Sequence, residues 1–194
     1  MVQQGLLAAS RFIGIGTSQG GTAALQQLLP TFPPEIGAAV TLVFHRAQGS
    51  DAALIQFLRT YCRLPVEEAQ DKTLIHPGHL YFAPADYHLL VEGDHFALST
   101  EAPVSFARPS IDVLFESVAE TYGANAAGVI LSGAGHDGAV GLAAIKRHGG
   151  MTIAQLPASA ESSLMPDAAI ATGLVDKVLP VDEIVPFLAK WQPK

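Results

Sequence analysis

The 194-residue sequence has one cysteine, few aromatic residues and little charge. Cys62 has no second cysteine to pair with, which excludes a small disulfide-stabilised secreted domain and suits a reducing compartment. The chain has 11 Lys and Arg against 18 Asp and Glu, a net charge of −7, so it lacks the positive field that binds polyphosphates. We therefore expect a cytoplasmic protein with no nucleic-acid partner.

Long apolar runs are also missing from the sequence. No window approaches the roughly 18 uninterrupted apolar residues of a membrane span, although the mean hydropathy is +0.30. The first ten residues contain no basic segment before their apolar patch, so we expect neither a signal peptide nor membrane insertion. At about 150 residues per domain, the length predicts one domain over residues 1–194, with its core at about 12–190.

Short apolar runs alternate with helical stretches along most of the chain. The runs at 12–16, 38–44, 127–133 and 152–156 predict buried strands, and amphipathic stretches between them predict helices. This alternation is typical of an α/β fold with a doubly wound, mostly parallel sheet flanked by helices on both faces, a Rossmann-like three-layer sandwich. Two β-like runs at 80–84 and 89–99 interrupt the pattern. The second turns at 92–94, which predicts an added antiparallel β-hairpin.

The turn after the first predicted strand reads GTSQG at 16–20 and matches G-x-S-x-G. In a nucleophile elbow, a serine occupies a sharp strand-to-helix turn, and its hydroxyl projects from the carboxyl edge of the sheet. Ser18 follows an apolar strand and precedes a helix, so it has this context. Backbone N–H groups at the helix start would face a developing oxyanion. Ser18 is therefore a candidate nucleophile.

Two other interpretations of this turn remain open. The glycines at 14, 16 and 20 resemble a loosened dinucleotide-binding fingerprint, whose helix N-terminus would hold a pyrophosphate. That fingerprint expects an acidic residue after the second strand, where the sequence has His45 and Arg46. NAD is therefore disfavoured, whereas Arg46 could bind the 2′-phosphate of NADP. In the other interpretation, Ser18 only caps the helix.

A serine nucleophile needs a base, and histidine takes and returns protons near neutral pH. His45 follows the second predicted strand, and a right-handed crossover places it at the same sheet edge as Ser18. Asp137 follows the strand at 127–133, where it would orient His45 or cap the helix beginning at Gly138. Three such residues at the ends of three different predicted strands favour a serine hydrolase.

The remaining histidines raise the question of a metal site. Four of the seven lie within residues 76–95, but Pro77 and Gly78 break any helix that could align them. No cysteine or carboxylate lies at a standard ligand spacing, so we predict no metal site. His88 directly precedes the second β-like run, in the segment PADYH (84–88) that begins the hairpin, and we expect it near the substrate cleft.

These residues resemble a known family, the methylesterase domain of the bacterial chemotaxis protein-glutamate methylesterases, CheB. The similarity covers nearly the whole chain from about Phe12, in order and with matching spacing. The segments that carry it are IGIGTSQGGTAAL (13–25), VFHRAQGSD (43–51), GHLYFAPADYHL (78–89), RPSIDVLFESVAE (108–120), ILSGAGHDGAVGL (130–142) and SLMPDAAIATGLVDKVLP (163–180).

The resemblance implies a catalytic triad of Ser18, His45 and Asp137. The implied reaction is hydrolysis of γ-glutamyl methyl esters on the cytoplasmic helices of methyl-accepting chemoreceptors, which releases methanol. Some members of the family also deamidate glutamine at those sites. The resemblance implies no metal and no organic cofactor.

The sequence departs from the family pattern in three places. Gln19 stands where the elbow usually has threonine, and Ala134 stands where the loop before the aspartate usually has methionine. The backbone N–H groups of both residues remain oxyanion candidates. The family commonly carries an N-terminal receiver domain, and we expect a stand-alone catalytic domain here. The alternative is a CheB-like module that binds a signalling partner without turnover.

Overall fold

The computed structural model describes residues 9–45 and 51–193. Two expectations concern residues outside these ranges. One is the NADP contact at Arg46, and the other is the absence of a signal peptide, which concerns residues 1–8. Along the chain the elements are β1 (Phe12–Thr17), α1 (Gly21–Leu28), β2 (Ala39–Phe44), α2 (Asp51–Tyr61), β3 (Val66–Glu68), β4 (Leu80–Phe82), β5 (His88–Glu92), β6 (His95–Ser99), α3 (Ile111–Tyr122), β7 (Ala126–Ile130), α4 (Ala139–Arg147), β8 (Met151–Gln155), α5 (Leu164–Ala171), β9 (Lys177–Leu179) and α6 (Val181–Lys190).

The central sheet has seven strands in the order β3-β4-β2-β1-β7-β8-β9, and every pairing in it is parallel. From β1 the chain adds β2, β3 and β4 on one side, with β3 at the edge and β4 between β3 and β2, and then adds β7, β8 and β9 in order on the other side. The ends of β1 and its neighbours therefore form a topological switch point, which is where open α/β sheets bind ligands. The predicted doubly wound α/β fold is confirmed.

The sheet carries an apolar cluster on each face. Alternate residues of a strand point to opposite faces, so Ile13 and Ile15 join one cluster while Phe12 joins the other. On the Phe12 side, Gly14 and Gly16 leave room for α3: a Cβ at Gly16 would lie 2.5 Å from Ile111 Cγ2. This close approach brings the N-terminus of α3 to the carboxyl edge of the sheet.

The middle of the chain contains the predicted antiparallel hairpin, which is confirmed. It consists of β5 and β6, which form a separate two-stranded sheet. The run at 80–84 contributes β4, which pairs in parallel with β2 inside the main sheet. Two elements were not predicted. β3 has only three residues, two of them glutamates, and α5 carries Pro166 in its first turn, where proline is tolerated.

No helix in the described ranges is long and apolar enough to cross a membrane.

Candidate active site

Ser18 and His45 occupy equivalent positions at the ends of neighbouring strands. Thr17 and Phe44, the last residues of β1 and β2, are in register, and the His45 N–H donates to the Thr17 carbonyl at 3.0 Å. The Ser18 N–H donates to the Ser132 carbonyl at 3.1 Å, just after β7. The backbone therefore holds Ser18 between the ends of β2 and β7, at the switch point.

Glycines allow the chain to turn sharply around Ser18. Gly20 has φ 76°, a left-handed conformation that disfavours other residues, and a Cβ there would lie 2.5 Å from Ser132 Oγ. A Cβ on Gly133 would lie 2.0 Å from Met165 Sδ and 3.0 Å from Ser18 Cβ. The elbow therefore depends on close backbone packing that side chains would prevent.

The Ser18 side chain does not cap the following helix. The residue at the N-cap of α1 is Gly20, and no side chain accepts a hydrogen bond there. The backbone N–H groups of Gln19 and Ala134 have no acceptor within residues 9–45 and 51–193. Both residues are exposed at the same sheet edge, so two N–H donors remain available beside the Ser18 turn.

Asp137 lies in the turn between β7 and α4, but it caps a different helix. α4 begins with Gly138 at its N-cap and has no side-chain cap. The Asp137 carboxylate instead lies at the N-terminus of α3, where Oδ2 accepts from the Ile111 N–H at 2.8 Å. Oδ1 accepts from Ser110 Oγ at 2.8 Å and from the Asp112 N–H at 3.1 Å. Helix N-termini stabilise negative charge, so this position favours an ionised Asp137.

The same carboxylate contacts His45, whose Nε2 lies 2.8 Å from Asp137 Oδ2. The ring N–H does not point along the line to the oxygen, and apo active sites often show such imperfect alignment. Burial, at 4% exposure, would raise the pKa of Asp137. The contact with His45 and the donors at the start of α3 outweigh burial and hold that pKa below its usual value.

Asp112, in the first turn of α3, is a second buried carboxyl beside Asp137, and sequence reasoning missed it. Its Oδ1 accepts from the Gly138 N–H at 2.9 Å and the Gly141 N–H at 2.8 Å. Asp137 thus holds the N-terminus of α3, and Asp112 holds the N-terminus of α4. Burial, together with the charge of Asp137, raises the pKa of Asp112 to about 6.

Asp112→Asn is expected to change how stability depends on pH. The folded pKa of Asp112 is raised, so its contribution to stability is present at low pH and is lost as pH rises from about 4 to 6. An amide keeps the acceptor oxygen that both glycines use. Relative to the native chain, the variant's free energy of unfolding should rise by on the order of 1–3 kcal/mol between pH 4 and 7.

Urea unfolding at a series of pH values measures this difference. Asp182→Asn is the matched control, because it removes an exposed carboxylate from the first turn of α6. Parallel stability curves for the Asp112 variant and the native chain would contradict the assignment.

His88 does not reach the cleft surface. It is 1% exposed, and its ring lies between two backbone groups, with Nε2 3.1 Å from the Ala102 carbonyl and Nδ1 accepting from the Ser110 N–H at 3.2 Å. This placement differs from the expected position near substrate, because β5 begins at His88 and turns that side chain inward. His88 instead supports the turn that precedes α3, and through Ser110 it supports Asp137.

A cleft of about 500 Å³ opens beside His45. The end of β2 and the segment at 103–109 that leads into α3 both contribute to its lining. The lining residues are Phe44, His45, Ala85, Asp86, Pro103, Ser105, Phe106, Ala107, Arg108 and Pro109. Within the described residues, no group of three or more His, Cys, Asp or Glu side chains could hold a metal ion. The arrangement is thus a serine and a histidine at neighbouring strand ends, a buried carboxylate in contact with that histidine, and an open cleft that the histidine lines.

Known proteins are similar in sequence to most of this chain. The family model described as CheB methylesterase matches residues 13–188. A Leptospira interrogans protein, provisionally named protein-glutamate methylesterase/protein-glutamine glutaminase, is 44% identical over 173 residues, which cover 89% of this chain and 90% of the relative. A Burkholderia lata protein-glutamate methylesterase/protein-glutamine glutaminase is 42% identical over 188 residues. The match covers 95% of this chain, which spans about half (52%) of that relative.

A solved structure has the same fold. The crystal structure of the Thermotoga maritima CheB methylesterase catalytic domain superposes with a TM-score of 0.90 at 32% sequence identity. The match covers 93% of this chain and 97% of that one.

Proposed function

Because this chain belongs to the CheB methylesterase family, we propose that it hydrolyses γ-glutamyl methyl esters of a protein with Ser18, His45 and Asp137 as its catalytic triad. The contact between His45 and Asp137, next to the Ser18 elbow, is the observation that supports this assignment. The protein substrate we propose is the cytoplasmic helical region of a methyl-accepting chemoreceptor. The reaction would then take place in the cytoplasm.

Acylation begins with attack by Ser18 Oγ on the ester carbonyl carbon while His45 takes the hydroxyl proton. Nε2 of His45 faces Asp137, so Nδ1 is the nitrogen left for this proton. The new Oγ–C bond makes a tetrahedral intermediate. When the bond from that carbon to the methoxy oxygen breaks, His45 returns the proton to the leaving group, and methanol departs.

Deacylation repeats the same steps with water. His45 takes a proton from a water molecule, whose oxygen attacks the acyl carbon, and the Oγ–C bond then breaks as Ser18 regains its proton. The products are a glutamate side chain and the free enzyme. A glutamine amide would follow the same path with ammonia as the leaving group, which fits the glutaminase activity in the relatives' names.

The negative charge of the tetrahedral oxygen needs donors that are already in place. The N–H groups of Gln19 and Ala134 serve this role in our proposal, because both lack an acceptor among the described residues and lie beside the Ser18 turn. A single donor of this kind typically contributes about 10²–10³-fold in rate. Their side chains, which depart from the family pattern, do not supply the donors.

Release of methanol from a methylated protein tests the function. A chemoreceptor cytoplasmic fragment carrying tritiated γ-glutamyl methyl esters should yield volatile tritiated methanol on incubation with this chain. The Thermotoga maritima catalytic domain serves as the positive control. A receptor fragment that releases methanol with the control and none with this chain would leave the binding-module alternative as the better account.

A further inference from the structure

The exposed apolar side chains gather at one edge of the sheet. In the part of the chain that the structure describes, eight large apolar residues are exposed, and Leu74 and Val178 lie away from the site. The other six lie in segments that follow the carboxyl ends of strands or open helices at that edge: Tyr87, Val104, Phe106, Val140, Leu156 and Leu164. We call these six residues the apolar rim. Exposed apolar side chains concentrated in one region mark an interaction site.

Phe106 is the most exposed residue of the apolar rim. It is 101% exposed and lies with Ser105 at the centre of a tight turn closed by two hydrogen bonds between Val104 and Ala107, at 3.1 and 2.9 Å. Ser105 and Phe106 have φ of 51° and 63°, a conformation for which such turns normally use Asn or Gly. A phenylalanine at this position neither packs against the rest of this chain nor suits the conformation of the turn. Its presence therefore indicates a contact with another molecule.

The turn belongs to the active-site cleft. Ser105 and Phe106 line the same cleft as Phe44 and His45. A glutamyl ester is short, so the backbone that carries it must come close to Ser18. On a helix, the residues three and four positions from that glutamate share its face, about 5–6 Å away between Cβ atoms. Those neighbours must therefore lie against the rim while the ester occupies the cleft.

We propose that Phe106 is a specificity-determining residue that packs against an apolar side chain three or four residues from the esterified glutamate on a substrate helix. This inference rests on the proposed function, since it concerns how the same site selects its protein substrate. The apolar rim supplies the surrounding contact surface. Phe106 takes no part in the acyl-transfer steps.

The test uses two helical peptides, each with one γ-methyl glutamyl ester, that differ only in having Leu or Ala four residues after the ester. The native chain should favour the Leu peptide by about tenfold in kcat/KM, as expected for partial burial of one leucine side chain. Phe106→Ala should remove that preference, and Phe106→Leu should restore part of it. The preference is a ratio between two peptides that carry the same ester, so a change in rate common to both peptides leaves it unaffected.

Leu74→Ala is the matched control, because Leu74 is exposed but lies away from the carboxyl edge. It should leave the peptide preference unchanged. A Phe106→Ala variant that keeps the preference, or that hydrolyses neither peptide although it unfolds at the native thermal midpoint, would overturn the inference. Failure of the proposed function looks different, because the native chain itself would then release no methanol from either peptide.

Discussion

Ser18→Ala is expected to lower kcat for ester hydrolysis by about 10⁴-fold or more, because the oxygen of the proposed nucleophile is lost while the proposed oxyanion donors remain. Folding should be preserved. The contacts that hold the elbow use the backbone of Ser18, whose N–H donates to Ser132 and whose carbonyl accepts from Gly21. The thermal midpoint should therefore stay close to that of the native chain.

Methanol release and thermal unfolding, measured on the same preparations, check this expectation. Ser10→Ala is the matched control, since Ser10 is an exposed serine before β1, and it should change neither quantity. If Ser18→Ala kept its activity while His45→Ala lost it, another residue would be the nucleophile.

Asp137→Asn is expected to lower kcat by about 10⁴-fold, the effect of a triad carboxylate replaced by an amide that favours the wrong histidine tautomer. Here the variant should also be destabilised. One carboxylate oxygen accepts from the Ile111 N–H and the other from the Asp112 N–H, so an NH₂ group in either orientation would oppose a backbone donor. A buried donor left without an acceptor costs about 1–3 kcal/mol.

Asp112→Asn is the control for the loss of stability expected of Asp137→Asn. Both N–H groups that Asp112 binds donate to the same oxygen, so its amide has an orientation that keeps them, whereas the Asp137 amide has none. Kinetics and urea unfolding of the two variants at pH 7 separate activity from stability. Equal loss of stability in both variants would contradict the hydrogen-bond pattern around Asp137.

The fold and the three main site residues followed from local sequence patterns. Apolar runs that precede Ser18, His45 and Asp137 predicted a parallel sheet, and parallel strands bring their carboxyl ends to one edge. The structure brings the three residues to that edge and pairs His45 with Asp137. Their catalytic roles remain predictions.

Other features depend on contacts between distant segments. The partners of Asp137 lie about 26 residues earlier in the chain, at the start of α3, and nothing in the spacing shows that this helix meets the Asp137 turn. Asp112 was missed for the same reason. The sequence shows that His88 lies next to the hairpin, and this predicted a position near substrate. It does not show that the His88 ring is buried between two backbone groups.

Covalent labelling of Ser18 tests the central claim most directly. A serine-directed fluorophosphonate reacts only with a serine that a neighbouring base activates. Nearby N–H groups must also stabilise the phosphoryl oxygen of the reagent. Mass spectrometry of the digested native chain should place the label on the peptide that contains Ser18, and His45→Ala should abolish it. An unlabelled native chain, or a label on another residue, would contradict the account.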